Sequence, residues 1–284
     1  MSFGNADSWV ILSSIEQSIR KKILSKGTPL SEWNVRINYG IKTGFNDAFI
    51  ISTAKKNELI SADPRSAEII RPILRGRDIK RYGYTFADLW LIATFPSRKY
   101  DIDQFPAIKK HLLSFGIERL EQTGKIHVVN NEKVKSRKKT SNKWFETQDS
   151  INYWNDFFQQ KIVYREISVA MDACLVEPGI MLNNKCYLIT GEHLEFLLAF
   201  FNSLLFTKII LPQANVTGGK GEGFLSAINS VIPTEEMENT IHSLLSTRSS
   251  SNSERSAKTD EEIDEFFFDL YRLSSEEIAY LKSL

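Results

Sequence analysis

Few residues of this sequence can make or break bonds, and their spacing does not bring them together. His111, His127, His193 and His242 stand far from one another and from the two cysteines, Cys174 and Cys186. No His-Glu-x-x-His or Cys-x-x-Cys spacing offers a metal its ligands. The run Gly218-Gly-Lys-Gly-Glu-Gly223 has the composition of a phosphate loop but not the Gly-x-x-x-x-Gly-Lys-Ser/Thr order, and no clear strand feeds it. It reads as a flexible loop whose glycines allow close approach to a partner. Paired carboxylates beside a lysine, as a metal-dependent nuclease needs, cannot be assembled. Cations are what the sequence concentrates. Arg71-Pro-Ile-Leu-Arg75-Gly-Arg77-Asp-Ile-Lys80-Arg81 holds five bases and one acid. Lys125 to Lys143 holds seven (Lys125, Lys133, Lys135, Arg137, Lys138, Lys139, Lys143) against Glu132 alone. Such clusters release counterions from a polyanion, although solvated loops with a local Arg–Asp pair have the same composition. Trp144, Phe145, Tyr153 and Trp154 follow the second cluster, where aromatic rings either stack on exposed bases or pack a core.

The total charge hides these clusters. In 284 residues, 36 Lys and Arg face 35 Asp and Glu, a net charge of +1. Resolved along the chain, Lys125–Lys143 carries +6, Ser249–Leu284 carries −5 (nine acids, four bases), and the remainder sums to zero. With 42% hydrophobic and 25% charged residues, the composition excludes a disordered, collagen-like or disulfide-stapled chain. Two cysteines in this length suit a reducing compartment. Met1 to Asp7 lacks the pattern of a signal peptide. Leu194 to Leu211 is interrupted by Glu195, Asn202, Ser203, Thr207 and Lys208, and falls short of the roughly 20 apolar residues of a membrane span. A buried helix and a cytoplasmic protein are the expectation.

The elements that must position the cations follow from periodicity. Trp9, Leu12, Ile15, Ile19 and Ile23 recur at helical spacing, ending at Gly27 and Pro29. Val35 to Thr53 reads as strand, glycine-containing loop, strand. Further strands are expected at Leu89–Thr94, Lys161–Ile167, Cys174–Val176 and Lys185–Thr190, and helices at Phe105–Leu113, Asn155–Gln160 and Leu194–Leu211. A helix starts at Thr234-Glu-Glu-Met, and Ile263, Phe266, Phe267, Leu270 and Leu273 mark another before a second start at Ser274-Ser-Glu-Glu. Ser246 to Thr259, with six serines, reads as a solvated linker. The division expected is a connecting helix over 1–30, a central domain over 31–233 and a C-terminal helical segment over 234–284. No internal repeat is found.

Gly40-Ile-Lys-Thr-Gly-Phe-Asn-Asp-Ala-Phe49, Ile73-Leu-Arg-Gly-Arg-Asp-Ile79, Lys138-Lys-Thr-Ser-Asn-Lys-Trp-Phe-Glu-Thr-Gln148, Lys161-Ile-Val-Tyr-Arg-Glu-Ile167 and Phe201-Asn-Ser-Leu204 occur in that order. From about Trp33 to the end, the chain resembles the TaqI-like C-terminal specificity domain of bacterial type II restriction-modification enzymes, particularly the fused type IIG methyltransferase–endonucleases. The acidic segment from Ile263 resembles the family's closing segment. Val231-Ile-Pro-Thr departs from the family's Pro-Ile-Pro, which puts only that turn in doubt. The resemblance implies a mixed α/β (α+β) target-recognition fold, with a small mixed sheet, flanking helices, an N-terminal connecting helix and C-terminal helices. In the family this domain follows an adenine-specific DNA methyltransferase domain with Phe-x-Gly-x-Gly-type and Asn-Pro-Pro-Tyr-type motifs, neither of which occurs here. The implication is a recognition module without catalytic residues, metal or S-adenosylmethionine of its own, that cofactor belonging to the methyltransferase part.

Double-stranded DNA is thus the expected partner, together with a methyltransferase or endonuclease domain or subunit. Arg75, Arg77, Lys80, Arg81, Lys133, Lys135, Arg137, Lys138, Lys139 and Lys143 are the candidates for phosphates, which set register. Asn46, Gln148, Arg165 and Asn183 have the chemistry for base edges, Arg for guanine and Asn or Gln for adenine. Asn46 equally suits a turn residue of Gly44-Phe-Asn-Asp47, and Arg77 an internal partner of a carboxylate. A protein-interaction subunit, docking a separate catalytic subunit through its terminal helices, is the alternative function; a stand-alone enzyme is the least supported.

Overall fold

A computed structural model describes residues 12–166, 171–217, 222–250 and 253–284. Its centre is an antiparallel sheet of four strands in the spatial order Cys174–Val176, Lys161–Arg165, Cys186–Gly191, Val35–Tyr39. Successive strand residues point to opposite faces, and here both faces are covered. Ile162, Tyr164 and Ile189 enter one core, whereas Val163, Cys174, Cys186 and Leu188 enter the other. The sheet is a partition between two cores, which explains its unbroken apolar runs. Lys161 belongs to such a run because its ammonium donates to the carbonyls of Phe157 (3.0 Å) and Glu177 (2.8 Å); burial pushes its pKa down to about 8.

Helices fill one side. Ser14–Lys26 opens with a capping box of Ser13 and Glu16 and stops at Gly27. It packs beside Ser275–Ser283, opened by a second box of Ser274 and Glu277, and Lys22 joins Glu277 at 2.5 Å. Leu194–Asn202, Glu235–Ser249 and Ser253–Leu270 complete this side, with Phe196, Phe200, Phe206, Phe267 and Tyr271 at its centre. On the other side lies a second four-stranded sheet in the order Met181–Leu182, Ile70–Leu74, Leu89–Ile92, Ile50–Ser52, its first pair parallel and the rest antiparallel. Thr53–Ala62 and Pro106–Leu113 pack near it. The mixed α/β expectation is met by this architecture.

Three elements differ from their sequence reading. Leu194–Leu211 is not one helix: the chain turns by 68° after Asn202 and continues as a π-wound turn, Phe206–Ile210. Ser203 causes the break by leaving helical backbone and accepting the Phe206 N–H at 3.1 Å. No single helix among the described residues is long and apolar enough to cross a membrane. The region Asn155–Gln160 forms a 3-10 turn, Trp154–Phe158, rather than an α-helix. The serine-rich stretch 246–259 is largely helical, in Glu235–Ser249 and Ser253–Leu270. Trp9, Ile167 and the glycines at 218, 219 and 221 lie outside the described residues.

Candidate nucleic-acid interface

Geometry sorts the fourteen candidate residues into those held internally and those presented outward. Arg75 forms a two-pronged pair with Asp78 (Nε–Oδ2 3.0 Å, Nη2–Oδ1 2.8 Å). Burial opposes the Asp78 carboxylate, yet the Arg75 bonds outweigh it and hold Asp78 below the ordinary carboxylate range. Arg81 pairs with Asp260 and donates to the Asn202 carbonyl at 2.8 Å. Arg165 pairs with Asp172. Asn183 shapes a turn, its Oδ1 accepting the Lys185 N–H at 3.1 Å and its carbonyl the Cys186 N–H at 3.0 Å. Each of these four side chains already closes a polar contact within the chain, so they are not carried forward as primary DNA contacts. Arg71 likewise donates to the carbonyls of Ala67, Glu68 and Ile70.

Arg137 needs the largest correction. It is 4% exposed, in the middle of the lysine-rich segment. Its guanidinium donates to the carbonyls of Leu120 (2.8 Å), Thr43 (2.8 Å), Glu146 (2.7 Å) and Trp144 (2.6 Å). Burial lowers its pKa to about 10, against the pull of Glu146, so it remains a cation at neutral pH. Arg137 is a knot, joining three segments remote in sequence by charge-assisted hydrogen bonds.

That knot assembles the surviving candidates. Thr43 begins the turn that carries Asn46; its hydroxyl donates to Asn46 Oδ1 at 2.7 Å and accepts the Phe45 N–H at 3.1 Å. Asn46 is the first residue of a four-residue helix, Asn46–Phe49, rather than a residue of the turn itself, and it is exposed. Gly44, at φ 80°, lets the segment 144–149 close on the turn. A Cβ there would stand 2.9 Å from Arg137 Cδ and 3.2 Å from Gln148 Oε1. Lys42 receives the Gln148 N–H on its carbonyl at 3.1 Å and donates its own N–H to Asp149 at 2.9 Å. Burial raises the Asp149 pKa, with Lys42 and Lys138 opposing. Asn46, Gln148 and the lysine segment thus meet around one turn.

Arg77, Lys80, Lys133, Lys135, Lys138, Lys139 and Lys143 are all exposed. Among the described residues none of them makes a side-chain hydrogen bond or ion pair; Lys143 lies 5.6 Å from the Phe145 ring. Lys42 and Arg119, also exposed, were missed by sequence reasoning; Arg119 lies over the Phe45 ring at 4.3 Å. Lys42 stands inside the quoted Gly40–Phe49 motif, whereas Arg119 has no sequence mark. Phe145 is buried and Trp144, Tyr153 and Trp154 pack against the second core, which favours the packing reading of the four aromatics. The sequence reading also missed that the lysine segment begins as a β-hairpin, Ile126–Val129 with Glu132–Lys135. Its signal was present in the period-two run Ile126-His-Val-Val and the Asn130-Asn131 turn.

A family model described as the TaqI-like C-terminal specificity domain matches residues 71–217, just over half of the chain. No curated protein sequence matches. The chain is similar in structure to the type IIL restriction-modification enzyme MmeI, solved in complex with DNA: TM-score 0.56, 15% identity, 90% of this chain and 36% of that one. The type IIG restriction endonuclease BpuSI gives a TM-score of 0.43 at 12% identity, over 91% of this chain and 33% of that one. The chain spans about a third of the length of each.

Proposed function

This chain belongs to the TaqI-like C-terminal specificity domain family, and on that premise we propose that it is the duplex-DNA recognition part of a type II restriction-modification enzyme. Arg77, Lys80, Lys133, Lys135, Lys138, Lys139 and Lys143 contact phosphates and fix register. The amides of Asn46 and Gln148 read base edges, with adenine as the partner their paired donor and acceptor fit. Adenine methylation or cleavage is performed by a catalytic domain or subunit, which binds S-adenosylmethionine; no residue of this chain is assigned to that chemistry. The bacterial cytoplasm is where such a pair would work.

The observation that carries this reading is the convergence held by Arg137: the exposed Asn46, the half-buried Gln148 and exposed lysines without ion pairs, around one turn. Binding of the full chain to a random-sequence duplex, followed by fluorescence anisotropy as salt is raised, tests it. The logarithm of affinity is expected to fall linearly with the logarithm of salt. Replacing Lys135, Lys138 and Lys139 together by Ala should flatten that slope by roughly 0.9 for each phosphate no longer neutralised. A slope unchanged in that variant and in Arg77→Ala removes these residues from the interface.

A further inference from the structure

The hairpin in the lysine segment has two unlike faces. Asn130 and Asn131 turn it at φ 50° and 66°, a two-residue loop whose twist matches that of the strands. The register pairs Ile126 with Lys135 and Val128 with Lys133, and opposed residues share a face. His127 and Val134, on the other face, are half-buried, with His127 3.9 Å from Glu121. Ile126 and Val128 are 63% and 71% exposed, the two most exposed large hydrophobic side chains among the described residues. Neither belongs to a core cluster. Strand propensity alone does not require them, because threonine would serve a solvated strand position equally well without exposing apolar surface.

We propose that this face enters the major groove of duplex DNA, where Ile126 and Val128 pack on thymine methyl groups while Lys133 and Lys135 reach flanking phosphates. The inference rests on the DNA-recognition reading and adds apolar base readers to it. The major groove, about 12 Å wide, admits a two-stranded ribbon, and thymine alone presents a methyl group there. Charge complementarity selects DNA as the occupant: lysine is depleted from the centres of protein interfaces, but here Lys133 and Lys135 stand directly opposite the apolar pair. The base of the ribbon is anchored. Gly124 donates to the Arg137 carbonyl and Ser136 to the Lys125 carbonyl, both at 2.9 Å, so the residue that positions Asn46 and Gln148 also holds the hairpin.

The test begins with selection of preferred duplexes from a random-sequence pool by the full chain. The recovered duplex is then remade with 2′-deoxyuridine in place of each thymidine in turn, which removes only the methyl group. Wild type should lose about fourfold in affinity at each contacted thymine, the worth of one buried methyl-sized group. The variant I126S/V128S, checked for an unchanged thermal midpoint, should bind the thymine and uracil duplexes equally and keep the wild-type salt slope. If no thymine replacement affects wild type, or if the variant responds as wild type does, the groove assignment is overturned; the first readout needs no mutant to fold. Failure of wild type to bind duplex with a salt-dependent affinity, or to enrich any sequence, would instead overturn the DNA-recognition reading together with the proposal.

Discussion

An arginine always carries a charge, but its five donors decide whether that charge is available to a ligand. Arg137 directs four hydrogen bonds to backbone carbonyls of three separate segments, a fork that lysine's single ammonium cannot reproduce. Arg137→Lys should destabilise the chain by about 3 kcal/mol in chemical denaturation, since several buried carbonyls lose their donor. DNA affinity should fall further than in Lys138→Ala, because the Asn46 turn and the Gln148 segment lose their common tie. Unchanged stability with a small, salt-screened loss of affinity would make Arg137 an ordinary phosphate contact. Its neighbours in sequence obey simpler rules. A local Arg–Asp pair was legible in the composition of 71–81, but the sequence reading offered Arg77 as the partner where the structure uses Arg75, and carbonyl partners leave no mark in a side-chain sequence.

Elements built from strong periodicity were legible, and those held by distant partners were not. Strand Cys174–Val176 and helix Pro106–Leu113 match their sequence reading to within a residue, since apolar runs and flanking breakers define them. Helix Ser253–Leu270 starts in a stretch poor in apolar residues and draws its hold from elsewhere. Asp260 on that helix receives Arg81 from the far side of the chain and Arg248 at 2.6 Å from the preceding helix, and Arg248 in turn covers the Tyr82 ring at 4.1 Å. Composition reports the solvated face of such a helix but not the ion pairs that fix it. Arg81→Ala is therefore expected to lower stability by roughly 1–3 kcal/mol, through the loss of a partly buried charged hydrogen bond, and to leave the salt slope of DNA binding unchanged. Arg77→Ala should do the reverse, flattening the slope with stability within about 0.5 kcal/mol of wild type. Paired denaturation and anisotropy measurements on the two variants decide it, and a flattened slope in Arg81→Ala would return that residue to the interface.

At the scale of the molecule, the shared sheet determines how the proposed recognition surface is supported. Asn46, Gln148 and the hairpin belong to the side built on the second sheet, while the terminal helices pack on the opposite face of the partition. Along strand Cys186–Gly191, Leu188 enters the core behind the recognition turn and the adjacent Ile189 enters the helical core. Packing lost on either face of this strand weakens the one backbone on which both cores depend, because alternate residues point to opposite faces. Leu188→Ala and Ile189→Ala should therefore each cost about 2–5 kcal/mol and each lower the midpoint of the same calorimetric transition. For a chain of this size the shift should be roughly 5–15 °C. Two separated transitions in either variant would mean that the cores melt independently, and the terminal helices would then be an attached body instead of the back wall of the proposed DNA-reading surface. A single shifted transition in both variants would mean that the terminal helices belong to the same cooperative unit as Asn46, Gln148 and the ribbon, the groups proposed to meet DNA.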